Sequence, residues 1–373
     1  MKRRSMPEDE RGRPQIADRR GFLVASAATI GIAGLYGLPG NAARRSGPAD
    51  IRYGYSGIGW GTNVQEAVKE AARMGLQGLE GHGPDWAAWF DRPLELKKLF
   101  DASGIAMVSC SRDLNFFVRA GRGAPATFVE RGQIPKMIDD HVNFARRFIK
   151  PFECNHFKFT LGGRPEGGPN DEQIRIIADA LNEIGKRTAA FGIRLAPHPH
   201  IGATVILEHE IRSLMKQTDP RFVWIVLDTA HLALAGMDPL TVTHDYYPRM
   251  AEVHYKDVPA RFRTLGNPVP TSNRDPITGG SLFQPMGTGG VDFVPIHAFL
   301  LAKKYKGWIL LDYLAPAPED GVGTFEQSIA HNKDYLANVL HVKTLGPTVL
   351  GQSACQYACE TAPHSVPNSR AGR

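Results

Sequence analysis

Histidines and carboxylates follow four short apolar runs in the second half of the chain. The runs end in Pro197-His198-Pro199-His200, Asp228-Thr229-Ala230-His231, Val253-His254-Tyr255-Lys256-Asp257 and Leu310-Leu311-Asp312. An ionisable side chain at the end of a buried strand needs partners, because burying it alone is costly. Four such ends in succession predict one shared site, and a divalent cation is the simplest common partner. Imidazole and carboxylate ligands suit Mn²⁺, Co²⁺, Fe²⁺ or Zn²⁺ better than Ca²⁺.

The elements that must position these residues alternate along the chain. Short apolar runs and longer amphipathic runs follow one another, which is the pattern of parallel strands joined by helical crossovers. Strands are expected at 51–55, 78–81, 105–110, 154–160, 193–198, 223–228, 251–255 and 308–312. Helices are expected at 64–74, 94–103, 134–149, 171–191, 211–218, 295–305 and 325–340. The pattern predicts an α/β fold, a single-domain (β/α)8 TIM barrel over residues 46–345.

An open, doubly wound sheet is the competing architecture, but no glycine-rich dinucleotide fingerprint follows the first strand. Two polar insertions, 112–132 and 259–290, follow strands three and seven. In a barrel they lie on the face that carries active sites. They are therefore expected either to wall the site or to be tolerated surface loops.

The stretch from 192 to 257 resembles the sugar isomerase/epimerase family of xylose-isomerase-like barrels. Its Asp228-Thr229-Ala230-His231 and His254-Tyr255-Lys256-Asp257 motifs stand in order, about 25 residues apart. Two later motifs extend the match, Pro285-Met286-Gly287-Thr288-Gly289-Gly290-Val291-Asp292-Phe293 and Gly307-Trp308-Ile309-Leu310-Leu311-Asp312. The resemblance implies one divalent cation, foremost Mn²⁺ with Co²⁺, Fe²⁺ and Zn²⁺ as alternatives. Its ligands would be His198, Asp228, His254 and Asp312.

Two of these positions depart from the family pattern, which typically has glutamate on strands five and eight. The residues here are His198 and Asp312. In the family's epimerases the two glutamates flank the substrate carbon and exchange its proton. The departure leaves the fold and metal predictions unchanged and weakens the prediction of two-base proton exchange.

A cation beside a base predicts proton abstraction next to a carbonyl through a metal-stabilised enediolate. The first hypothesis is an isomerase or epimerase acting on a free sugar or keto-sugar. The second is a lyase of the same family, a keto-inositol dehydratase or a keto-glycoside β-eliminase. Candidate catalytic residues are His200, His231, Lys256, Glu80 and Lys158, the last as a contact to substrate oxygens.

Each candidate also has a structural alternative. Lys256 would pair with Asp257, His231 would cap the turn after strand six, and Glu80 would hold the barrel rim together. Aromatic residues after the first three strands, Trp60, Trp86, Trp89 and Phe116, would either stack on a sugar or pack in the core. The segment 287–290 offers only a weak phosphate cradle, which favours an unphosphorylated substrate.

The first 45 residues resemble a twin-arginine signal. Arg19-Arg20-Gly21-Phe22-Leu23 precedes a Gly/Ala-rich apolar stretch with small residues near Ala42 and Ala43. This predicts the twin-arginine export machinery as a partner and a periplasmic or exported location, with a retained membrane anchor as the alternative. Residues 346–373 are Ser/Ala/Pro-rich and are expected to form a flexible C-terminal tail.

The charge distribution argues against nucleic acid as a partner. Residues 1–45 carry nine Lys/Arg against four Asp/Glu, a net of +5, which leaves +1 of the total +6 for the rest of the chain. A near-neutral body lacks the cationic surface that phosphate backbones require. The abasic-site endonucleases of related barrels also need an Asp-x-His pair after strand seven, where this chain has Asn273-Arg274-Asp275-Pro276. A non-catalytic sugar-binding barrel and a homo-oligomer both remain open from the sequence.

Overall fold

The computed structural model describes residues 50–112, 128–263, 281–312, 325–343 and 345. The leader at 1–45, the tail at 346–373, Phe116 and parts of both insertions lie outside the described residues. All eight expected strands are present, each within two residues of its expected ends. They are β1 (Arg52–Ser56), β2 (Gly78–Gly81), β3 (Ala106–Cys110), β4 (His156–Phe159), β5 (Arg194–Pro197), β6 (Ile225–Asp228), β7 (Met250–Tyr255) and β8 (Trp308–Leu311).

The strands are parallel and the first one pairs with the last. Six of them form a sheet in the order β3-β2-β1-β8-β7-β6, and β4 pairs with β5. The amide of Leu195 donates to the carbonyl of Phe222 at 3.0 Å, and the amide of Trp224 donates to Leu195 at 2.7 Å, which joins β5 to β6. At the other seam the amide of Lys158 donates to Oγ of Ser109 at 3.0 Å, which joins β4 to β3. The predicted (β/α)8 TIM barrel is confirmed.

Helices connect the strands on the outside of this barrel. Within the described residues they are α1 (Val64–Arg73), α2 (Gly83–Trp86), α3 (Pro93–Ser103), α4 (Ile134–Phe144), α5 (Asp171–Ala189), α6 (Glu208–Gln217), α7 (Thr229–Leu234), α8 (Pro239–Tyr246), α9 (Phe293–Ala302) and α10 (Phe325–Asn338). The short helices α2, α7 and α8 were not expected from the sequence. A π-helical turn, Ala145–Ile149, continues α4 to the end expected for it.

Helix α5 shows how the sequence sets such an element. Oδ1 of Asn170 accepts a hydrogen bond from the amide of Gln173, and Oε1 of Gln173 accepts one from the amide of Asn170, so this capping box starts the helix. Its buried face carries Ile177 and Leu181 at helical spacing. Burying each such side chain contributes about 1.5–3 kcal/mol. Gly192, with φ of 86°, turns the chain toward β5.

The register of the strands decides which side chains share the barrel interior. Asp228 pairs with His254, and His254 pairs with Leu310. Because side chains at paired positions of parallel strands point to the same face, these three lie side by side. Within the described parts of the chain, no helix has the length and apolar character needed to cross a membrane.

Candidate metal and acid–base site

Asp228 ends β6 and also begins α7. Its Oδ1 accepts hydrogen bonds from the amides of Ala230 at 2.9 Å and His231 at 3.1 Å, so it is the N-cap of that helix. Its Oδ2 is buried and has no hydrogen-bond partner. Burial raises the pKa of the Asp228 carboxyl. The Asp-Thr-Ala-His spacing therefore serves local structure, and it leaves one carboxylate oxygen for the site.

Three imidazoles surround this oxygen. Oδ2 of Asp228 lies 3.6 Å from Nε2 of His231, 3.8 Å from Nδ1 of His254 and 3.9 Å from Nε2 of His198. All three rings are buried, and neither Nε2 of His198 nor either nitrogen of His231 has a hydrogen-bond partner. Burial, with nearby cationic side chains, holds the pKa of His198 and of His231 well below the usual range. Neutral imidazoles with free lone pairs beside a carboxylate are the donor set of a first-row metal ion, so these residues fit the cation that the sequence implies.

Asp312 follows β8 and lies beside His254. Its Oδ2 is 3.2 Å from Nδ1 of His254 and 3.1 Å from Nζ of Lys256. Although burial raises the pKa of Asp312, the charges of Lys256 and His254 outweigh it and hold this pKa well below its usual value. The ammonium of Lys256 also lies 4.1 Å from the ring centre of Phe283. The expected alternative, a Lys256–Asp257 pair, is wrong.

Asp257 instead binds the backbone of the loop that precedes α9. Its two carboxylate oxygens accept hydrogen bonds from four amides, those of Val258, Gly287, Gly289 and Val291, at 2.8–3.0 Å. The amide of Gly290 donates to the carbonyl of Val258, and that of Thr288 donates to Pro285. These bonds occupy the amides of 287–291, so the weak phosphate cradle is not available to a ligand.

Glu80 and Lys158 form a second acid–base pair at the barrel mouth. Oε2 of Glu80 lies 2.6 Å from Nζ of Lys158, and both side chains are buried. Oε1 of Glu80 has no hydrogen-bond partner and lies 3.7 Å from Nε2 of His254. Burial raises the pKa of Glu80. A carboxylate of raised basicity with one unoccupied oxygen is suited to take up a proton.

His200 is half-buried and packs on His231, with ring centres 3.6 Å apart. Its Nδ1 lies 2.7 Å from the carbonyl of Ile201, which assigns the proton to Nδ1 and leaves Nε2 as an acceptor. Burial, with the charge of Lys256, lowers the pKa of His200 to about 3. His231 does not cap the turn with its side chain; only its backbone amide does so.

Two residues of the site were not expected from the sequence. Glu252 on β7 lies 3.3 Å from Nε2 of His254 through Oε1, and 2.9 Å from Nε2 of His156 through Oε2. Glu252 precedes His254 by two residues, so both face the barrel interior. A glutamate inside an otherwise apolar strand run, two positions before a candidate ligand, was the available signal.

The aromatic candidates have different environments. Trp86 is fully buried and packs on Phe100, with ring centres 6.0 Å apart, so it belongs to the core and not to a sugar-stacking surface. Trp60 packs edge-on against Tyr55, and Trp89 lies under the guanidinium of Arg92. None of these contacts reaches the cluster around Asp228.

The fold and this strand-end site define a class of protein. The chain belongs to the xylose isomerase-like TIM barrel family, whose model matches residues 68–335. An inosose dehydratase of Clostridium beijerinckii is 34% identical over 143 residues, which cover 38% of this chain and 48% of that protein. The chain thus spans about half the length of the first curated relatives it matches.

Other comparisons cover more of the chain. An inosose dehydratase of Bacillus velezensis is 25% identical over 296 residues, covering 71% of this chain and 90% of that protein. A solved L-ribulose 3-epimerase superposes with a TM-score of 0.59 at 14% identity, covering 78% of this chain and 95% of that one. At that identity the superposition supports the fold alone.

Proposed function

We propose that this chain is a metal-dependent lyase that dehydrates a free keto-polyol, a cyclic polyhydroxy ketone of the inosose type. The observation that carries the proposal is an unequal acid–base pair on either side of His254. Oε1 of Glu80 is an unoccupied carboxylate oxygen, and Nζ of Lys256 is an ammonium held by Asp312. Elimination needs one base and one acid, whereas epimerisation needs two bases that alternate.

The residues divide the reaction between them. Glu80 takes the proton from the carbon beside the carbonyl, and that electron pair forms the new carbon–carbon double bond. The bond to the β-hydroxyl breaks, and the hydroxyl takes a proton from Lys256 and leaves as water. Protons then return from Glu80 to Lys256 through solvent.

The reaction also requires stabilisation of the negative charge that develops on the carbonyl oxygen, and the cation site can provide it. His198 and Asp228 present unpartnered, buried donor atoms beside this acid–base pair. A divalent cation bound there supplies Lewis-acid stabilisation of negative charge on the carbonyl oxygen. Lys158, paired with Glu80, keeps a positive charge next to the base, so that the carboxylate form persists despite burial.

The similarity to dehydratases supports this choice. Both curated relatives described above are named inosose dehydratases, and one match covers most of both chains. The replacement of the family's two glutamates by His198 and Asp312 also removes the matched pair of bases.

An isomerase or epimerase is the second candidate. Oδ1 of Asp312 is buried and has no hydrogen-bond partner, so it offers a second carboxylate oxygen at the strand-eight position. If Asp312 acted as that second base, recovered substrate would exchange a carbon-bound proton without losing water.

The test is incubation of the purified chain, loaded with Mn²⁺, Co²⁺ or Zn²⁺, with inososes in D₂O. We expect loss of one water by mass spectrometry and an unsaturated product. Glu80→Gln should abolish that product, and Glu95→Gln, at an exposed position of α3, should not. Deuterium in recovered substrate with no dehydration would select the epimerase. Binding without either reaction would identify a non-catalytic sugar-binding barrel.

A further inference from the structure

The buried donor atoms around Asp228 form two sets that share this carboxylate. One set is His198, Asp228 and His231, and the other is Asp228, His254 and Asp312. Within each set, all donor atoms lie within 4.8 Å of one another. The family resemblance assigns the cation to donors drawn from both sets and omits His231. The sets differ in how far their hydrogen-bonding needs are already met.

In the second set the imidazole of His254 and one oxygen of Asp312 are satisfied by protein contacts, and Oδ1 of Asp312 and the shared Oδ2 of Asp228 are not. Nδ1 of His254 bonds to Asp312, and Nε2 of His254 bonds to Glu252. Asp312 also accepts a hydrogen bond from Lys256. A cation placed among these groups would have to break the His254–Asp312 bond and would lie close to the Lys256 ammonium.

The first set is not satisfied. Nε2 of His198, Oδ2 of Asp228 and both ring nitrogens of His231 are buried and without a hydrogen-bond partner. His198 is 4% exposed, Asp228 1% and His231 0%. Buried polar atoms without partners cost free energy, and proteins rarely retain several in one place unless a ligand completes them.

The geometry points to His198, Asp228 and His231 as the residues that hold the cation, with His231 a metal ligand and not a base. This inference rests on the proposed function only in assuming that a cation binds at this site. His254 and Asp312 then remain with Lys256 and Glu252 in the acid–base network. Two histidines and one carboxylate on one side of the ion leave its other positions open for substrate oxygens.

The donor spacing agrees with this assignment. Ligands about 2.1 Å from one ion lie roughly 3.0–3.6 Å apart. Oδ2 of Asp228 is 3.6 Å from Nε2 of His231 and 3.9 Å from Nε2 of His198. A shift of a few tenths of an ångström brings the distance between Asp228 and His198 into this range. The ring of His231 packs on His200, with ring centres 3.6 Å apart, and makes a T-shaped contact with Phe283 at 5.5 Å, so two side chains orient it before any ion binds.

The donor types also predict which ions bind. Two imidazoles for one carboxylate favour Co²⁺, Zn²⁺ and Fe²⁺ over Mg²⁺ and Ca²⁺, which prefer oxygen ligands. We expect the wild-type chain to bind Co²⁺ and Zn²⁺ more tightly than Mn²⁺, with Mg²⁺ weakest. A site made mainly of carboxylates would show a smaller preference for Co²⁺ and Zn²⁺ over Mn²⁺ and Mg²⁺.

The experiment is titration of metal-free, full-length protein with Co²⁺, followed by visible absorption and equilibrium dialysis. His231→Ala and His198→Ala should each weaken Co²⁺ binding by at least about 100-fold and remove the absorption band. Asp312→Asn should change the affinity by less than about 10-fold. His244→Ala, at an exposed position of α8, is the control for general loss of histidine.

Unchanged Co²⁺ affinity in a folded His231→Ala variant, with affinity lost in Asp312→Asn, overturns the assignment. A crystal soaked with Co²⁺ gives an answer that needs no variant. An anomalous peak within coordination distance of His231 supports the assignment, and one next to His254 and Asp312 overturns it. Failure of the wild-type chain to bind any cation overturns both this inference and the proposed function. Normal binding without dehydration overturns the proposed function alone.

Discussion

Glu252 of β7 and His156 of β4 are hydrogen-bonded across the barrel interior, with Oε2 2.9 Å from Nε2. The two strands are not neighbours in the barrel, and both side chains are almost fully buried. Although burial raises the pKa of Glu252, His156 and His254 outweigh it and hold this pKa well below the usual value. The other oxygen of Glu252 faces His254. The Glu252–His156 pair therefore also fixes the His254 ring, which lies between Glu80 and Lys256.

Replacing one member of this pair should destabilise the chain. We expect Glu252→Leu to lower the free energy of unfolding by about 3–5 kcal/mol, because it leaves His156 buried without its partner. His156→Leu should have a similar effect. The loss of unfolding free energy in the double variant should be clearly smaller than the sum of the losses in the two single variants. A double-mutant cycle, measured by urea unfolding, tests this. Additive losses would contradict the coupling.

Removing the Asp257 carboxylate should loosen the loop at 285–291. Four backbone amides lose their acceptor in Asp257→Ala; the hydrogen bonds of Val258 and Val291 are buried, and a buried donor left unpaired costs about 1–3 kcal/mol. We expect a loss of at least about 3 kcal/mol of unfolding free energy. Hydrogen exchange should accelerate at Gly287, Gly289 and Val291.

A helix cap supplies the comparison for this variant. Asp238→Ala removes an exposed N-cap of α8 and should cost only about 1 kcal/mol. Equal losses in the two variants would show that the loop does not depend on Asp257.

His141 should make the stability of the chain pH-dependent. Its ring is buried among Phe128, Phe157 and Phe159, and burial lowers its pKa to about 4 from an ordinary value of 6.5. The unfolded chain therefore binds a proton between pH 6.5 and 4 that the folded chain does not. Stability is complete above this window and falls by about 3 kcal/mol as the pH drops through it.

The variant His141→Phe isolates this contribution. The decline in unfolding free energy from pH 6.5 to 4 should become shallower in His141→Phe. It should be unchanged in His209→Gln, which alters an exposed histidine of α6. Denaturant titrations at several pH values supply the measurement, and parallel curves for wild type and His141→Phe would exclude the effect.

Lys256 should be required for dehydration. Lys256→Met keeps the length of the side chain and removes the proton donor, so turnover should fall by about 10²–10⁴-fold. Co²⁺ affinity should stay near the wild-type value, because Lys256 contacts Asp312 and Phe283 and not the His198–Asp228–His231 set. Lys303→Met, on the outer surface, should leave turnover unchanged. Full activity in Lys256→Met would assign the proton donor elsewhere.

Strands and long helices were predictable because their signals are local. Each strand is a short apolar run, and positive-φ glycines end the helices before β2, β3 and β5, at Gly75, Gly104 and Gly192. Helices α7 and α8 were missed because they have six and eight residues, too few to show helical periodicity. The π-helical turn after α4 was absorbed into one expected helix, since its composition is that of an ordinary helix.

The candidate site was predictable where it sits at strand ends and less so where it depends on distant contacts. A shared location could be predicted for His198, Asp228, His254 and Asp312, because the strands of a parallel barrel all end at one face. The choice of Asp312 as the partner of Lys256 is a cross-strand contact that no spacing encodes. Likewise, Phe283 reaches Lys256 from a long insertion, and His156 meets Glu252 across the barrel interior.

The hydrogen bonding between neighbouring strands is uneven around the barrel, because the two junctions beside the β4–β5 pair differ from the rest. Six strands share one continuous backbone ladder, whereas the described residues join β4 to β3 through the Ser109 hydroxyl and β5 to β6 through Leu195. A barrel wall deforms most easily where the fewest hydrogen bonds join its strands. Strands β4 and β5, which carry Lys158 and His198, can therefore move relative to their neighbours at the lowest energetic cost. Their position sets the width of the barrel mouth opposite β6, β7 and β8, which carry Asp228, His254 and Asp312.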